Sequence, residues 1–132
     1  VPSGDPLELA RLEPFGGTSS ARLSNTVPLQ GGLIGGNERG LVRIDEQFRP
    51  IHATSSQVED FISLEQLPGV LFVGMLRGFE IVRVAPDFSV TLLARVPEFE
   101  HETTNVDEFP DRTVWVGTTS GVALRLRLKK IF

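Results

Sequence analysis

Apolar positions along the chain recur in short bursts and in alternation, never in a 3.6-residue stripe. "VWVGTTSGVALRLRL" (Val114–Leu128) shows the pattern most cleanly: an apolar run, a polar turn, then Val122, Leu124, Leu126 and Leu128 on one side with Arg125 and Arg127 on the other. A period of two places alternate side chains on opposite faces of a strand. The same grammar recurs upstream in "LIGGNERGLVRI" and "LFVGMLRGFEIVRV", giving G-x-x-x-G pairs at Gly36/Gly40, Gly74/Gly78 and Gly117/Gly121. Gly36 and Gly74 lie 38 residues apart, Gly74 and Gly117 lie 43 apart. Each first glycine has a bulky residue two positions before it (Ile34, Phe72, Trp115). Each second glycine is followed at once by Leu41, Phe79 or Val122. Spacing and flanks agree, so the chain is an internal repeat.

Each unit predicts four strands. The first strands are Ser24–Leu29, Gln57–Leu64 and Asn105–Phe109, closed by turns at Gly31-Gly32, Pro68-Gly69 and Pro110-Asp111. The second strands, Leu33–Gly35, Val70–Val73 and Val114–Val116, are too short for helices and apolar on both faces. Third strands follow at Leu41–Ile44, Phe79–Val84 and Val122–Leu128, and a fourth is clearest at Val90–Ala94. The second glycine of each pair supplies positive φ in a tight connection, and the first permits close approach of a neighbour. A phosphate loop would need a helix directly after the glycines, and strands follow instead.

Repeated four-stranded units of about 40 residues point to an all-β fold of β-propeller blades. The residues that carry this also resemble the two-component-regulator propeller repeat: Val114-Trp115-Val116-Gly117-Thr118 with Gly121-Val122, then Leu71-Phe72-Val73-Gly74 with Gly78-Phe79. Met75 replaces the threonine in the second copy, and Leu33-Ile34-Gly35-Gly36 lacks both the aromatic and the threonine. The blade units span about 24–54, 57–96 and 104–130, the last completed by 5–13, so residues 1–132 form one propeller segment. Three blades leave two flat ends, and closed propellers hold about 4–8. A homodimer closes the ring, or the chain, which starts at Val1 without Met, rests on further blades of a longer protein.

Composition narrows the chemistry. The 132 residues carry a net charge of −4 and no cysteine. A diffuse acidic excess argues against nucleic acid as a partner, and thiol chemistry is excluded. Apolar runs of about five residues fall far short of the ~20 that span a bilayer, so direct membrane insertion by this segment is not expected.

Candidate ligand-binding residues lie on the connecting loops: Asn37, Arg39, Arg77, Thr118 and Ser120 between the glycines, and His52 and His101 between units. Arg39 and Arg77 hold equivalent places, one before the second glycine, suited to a carboxylate or a sugar hydroxyl. Glu100 and Glu102 flank His101 but point away from it on an extended segment, so no metal site is expected. No nucleophile–base motif is present and no cofactor is implied, so the expected catalytic set is empty. The propeller resemblance implies a non-catalytic sensor, the periplasmic or extracytoplasmic input region of a bacterial signal-transduction protein, binding a carbohydrate or other small molecule. A protein–protein scaffold is the alternative, and a propeller hydrolase or lyase the third reading.

Overall fold

The computed structural model of the chain describes residues 23–45, 47–96 and 102–127. These residues are all-β: eleven strands in three antiparallel sheets and no helix. The first sheet contains β1 (Asn25–Leu29), β2 (Gly32–Gly36), β3 (Gly40–Ile44) and β4 (Phe48–Ala53) in sequential order. The second contains β5 (Val58–Ser63), β6 (Val70–Met75), β7 (Phe79–Val84) and β8 (Val90–Val96). The third contains β9 (Thr103–Glu108), β10 (Thr113–Thr118) and β11 (Ala123–Arg127). The strand proposed at 5–13 and residues 128–130 lie outside the described residues.

The sheets stack face on face and enclose two apolar seams. Ile34, Leu41, Phe61, Leu71, Val73 and Val82 fill the seam between the first and second sheets. Phe72, Phe79, Val106, Val114 and Val116 fill that between the second and third. This explains why the second strands read as apolar on both faces: β6 serves both seams and is buried at all six positions. The sheets approach most closely along their first strands, where β5 packs against β1 and β9 against β5.

The glycine pairs divide their labour as the sequence predicts. Gly40, Gly78 and Gly121 have φ of 146°, 83° and 82°, a region costly for residues with a Cβ. A Cβ on Gly36 would lie 2.5 Å from Val58 Cγ1, and one on Gly74 would lie 2.7 Å from Thr103 Cγ2. In the first and second pairs the first glycine therefore admits a side chain from the next sheet, whereas Gly117 faces Asn105 of its own sheet.

Two local expectations need correction. The first hairpin turns at Gln30-Gly31, both with positive φ (54° and 74°), while Gly32 already belongs to β2. Two consecutive positive-φ residues make the type I′ turn that matches strand twist. Val122 does not join the inward face of β11. Its N–H donates to Thr118 Oγ1, and Thr118 Oγ1 donates to the Val122 carbonyl at 2.6 Å. That ring holds Val122 in the turn, 39% exposed, while Leu124 and Leu126 pack into the second seam.

Candidate functional site

Three of the loop residues singled out in the sequence converge. Asn37, Arg39 and His52 line a groove of about 580 Å³ on the first sheet, over an apolar floor of Val42, Phe48 and Pro50. Small-molecule sites have volumes of this order and combine apolar walls with a few placed polar groups. Asn37 is itself 7% exposed, and its Oδ1 accepts the N–H groups of Arg39 (2.8 Å) and Gly40 (3.1 Å). Its carboxamide is thus committed to shaping the turn that presents Arg39, whose side chain is exposed.

His52 comes from β4 and is held from behind. Its Nε2 lies 2.7 Å from Oε1 of Glu80, a β7 carboxylate with no exposed surface. Glu80 Oε2 accepts the Ser55 N–H and Arg95 Nε–H, each at 3.1 Å. A buried carboxylate is tolerated when its lone pairs are met by charged or polar donors. Here two sheets supply them, so the ion cluster pins the His52 ring and bolts the first seam. The cluster has no counterpart in the second seam, where Leu124 holds the place of Glu80: Glu80 pairs with Val73, and Leu124 with Val116.

The remaining candidates lie elsewhere. Arg77 does not line the groove; its backbone N–H donates to Ser56 Oγ at 3.2 Å on an exposed turn. Thr118 and Ser120 share a 3.0 Å contact in the third turn, and Thr118 also closes that turn through Val122. His101 lies outside the described residues. Equivalent places in the repeat therefore serve different ends, because the face of the second sheet that corresponds to the groove floor carries Glu80 and Val82 and is buried in the first seam.

Sequence reasoning passed over Glu80 and Asp60. The signal for Glu80 was available: it shares a strand face with Val82 and Val84, an odd place for a charge unless a partner waits across the seam. Asp60 links all three first strands. Its Oδ1 accepts Asn25 Nδ2–H at 2.8 Å and its Oδ2 accepts the Val106 N–H at 2.7 Å. Burial pushes its carboxyl above the ordinary value, with these hydrogen bonds opposing and the nearby Asp107 charge adding to the rise.

Among the described residues no group of three or more His, Cys, Asp or Glu side chains is placed to hold a metal ion, and no helix is long and apolar enough to cross a membrane. The site thus offers one guanidinium, one oriented imidazole and an apolar floor, a set suited to binding. No family model and no curated protein matches the chain, so the likeness to the propeller repeat rests on the quoted glycine and aromatic positions alone.

Proposed function

We propose that the chain is an arc of β-propeller blades that works as a non-catalytic recognition module, with its ligand held in the groove of Asn37, Arg39 and His52. The observation that carries this reading is the groove itself, where the Asn37 turn with its exposed Arg39 and the end of β4 at His52 border Val42, Phe48 and Pro50. A guanidinium and an imidazole suit the carboxylate or hydroxyl edge of a small molecule, and the floor suits its apolar face. The face-on-face stacking of sheets along their first strands supports the propeller arrangement. On the motif's resemblance, the module is the extracytoplasmic input region of a bacterial signalling protein, where ligand occupancy shifts an equilibrium between two arrangements of the assembly.

The test is a screen of mono- and oligosaccharides and small carboxylates, read by amide chemical shifts of the isotope-labelled chain. A ligand should move the amides of residues 37–42 and 48–53, and Arg39→Ala and His52→Ala should each abolish the response. Shifts confined to other segments, or binding that survives both substitutions, would refute the assignment.

A further inference from the structure

The two ends of the stack complete each other. Three features recur between successive sheets, and each stops at the third. Ile34 of the first sheet is fully buried against the second and Phe72 of the second is 2% exposed against the third, but Trp115, in the same place on the third, is 36% exposed. Val58 enters the recess over Gly36, and Thr103 that over Gly74, yet a Cβ on Gly117 would find Asn105 and Thr104 of its own sheet as its nearest neighbours. Asn25, Asp60 and Asn105 stand opposite the three first glycines in the pairing register. Asn25 donates to the Phe61 carbonyl at 3.0 Å, and Asp60 accepts the Val106 N–H, each the residue after the next member of the series. Among the described residues, the Asn105 side chain reaches only its own strand, at Thr104 and Asp107.

The opposite end has the missing counterparts. Leu23 lies two residues before Asn25, as Val58 precedes Asp60 and Thr103 precedes Asn105. Val58 and Thr103 are each 1% exposed, whereas Leu23 is 37% exposed. Thr26, one residue after Asn25, is exposed where its equivalents Phe61 and Val106 are buried. The two ends present matching positions of the register the chain already uses twice, Trp115 and Asn105 on one, beside Arg125, Arg127 and Asp107, and Leu23 and Thr26 on the other.

We infer that a second copy of this chain joins the stack head to tail, β1 of each copy packing on β9 and β10 of the other. Leu23 takes the place over the partner's Gly117 that the Asn105 side chain holds in the single copy, beside Trp115, and Asn105 turns to bond the backbone of the partner's Thr26. Two such junctions about a twofold axis close a ring of six sheets. This rests on the propeller reading and adds the partner that completes it. The existing seams reach the third strands, at Val82 in the first and at Leu124 and Leu126 in the second, so the junction also covers the Val42 face of β3 and competes with a ligand for the groove floor.

Trp115 is the single tryptophan and reports the junction directly. Sedimentation of the full chain over rising concentration should pass from 14.5 kDa to twice that mass, with Trp115 emission shifting to the blue and losing acrylamide quenching over the same range. Leu23→Glu and Trp115→Glu should each sediment as folded monomers, checked by circular dichroism, while their equimolar mixture, which restores one intact junction, should form a 1:1 dimer. A chain that stays monomeric at the highest concentrations with Trp115 quenchable overturns the second copy as occupant, though it leaves the propeller reading standing with blades from a longer protein. Trp115 already shielded in the monomer, or a mixture of the two variants that fails to associate, overturns it as well. The unmodified chain's quenching curve decides the matter if either variant does not fold.

Discussion

Replacing His52 by alanine probes the ion cluster that both shapes the groove and bolts the first seam. Glu80 has no exposed surface, and His52 makes the shortest of its three contacts, at 2.7 Å. Removing a partner of a buried carboxylate costs about 3–5 kcal/mol when its charge is left stranded. Glu80 would not be wholly stranded, since Arg95 and the Ser55 N–H stay in place. His52 is also 14% exposed, so water enters where the ring stood. Both features lower the expected loss to about 2 kcal/mol, still a sizeable share of the ~5–15 kcal/mol that holds a domain together. The double variant His52→Leu/Glu80→Leu makes the contrasting case. It rebuilds the first seam on the plan of the second, where Leu124 replaces the carboxylate, and apolar replacement of a buried pair is often close to neutral. Its stability should fall within about 1 kcal/mol of the parent, giving a clear coupling between the two sites. Urea unfolding followed by far-ultraviolet circular dichroism and Trp115 fluorescence measures all of these. A His52→Ala chain within about 0.5 kcal/mol of the parent, or a double variant as weak as the sum of its singles, would refute the bolt.

Other positions yield separate expectations. Gly74→Ala drives a methyl to 2.7 Å from Thr103 Cγ2 and 3.1 Å from Val106 Cγ2, and should cost about 1–3 kcal/mol through overpacking of the second seam. Gly121→Ala meets no atom within 4 Å and should cost only about 1 kcal/mol, from its φ of 82°; thermal melts that reverse this order would contradict the assigned roles. Thr103→Val replaces a buried hydroxyl that has no hydrogen-bond partner among the described residues by the residue type found at Val58, and should stabilise the chain by about 1 kcal/mol in urea titration. Burial raises the Asp60 carboxyl above its ordinary 3.8, so the folded form holds its proton more tightly than the unfolded one. Its contribution to stability is therefore full below the unfolded pKa and is lost as pH rises through the raised folded value. A carbon-detected titration of Asp60 with its midpoint at or below 3.8 would contradict this.

The period-two alternation and the spaced glycine pairs determined the all-β class, the position of most strands and the separate duties of the two glycines. These are local properties: backbone conformation at a turn and side-chain direction along a strand follow from neighbours in sequence. Where the expectations slipped, the slip was also local. Thr118 captures Val122 through its hydroxyl, and Gln30 accepts a positive φ that glycine was expected to take alone.

Contacts across the seams belonged to the tertiary structure. That Glu80 meets His52, that Asp60 ties three first strands, and that Arg39 but not Arg77 borders the groove all depend on which sheet face meets which. Residues in equivalent repeat positions read alike in sequence, yet they diverge in use because each sheet meets different neighbours on its two sides. Alternation tells a residue which way to point, and only the stacking of the sheets determines what it finds there.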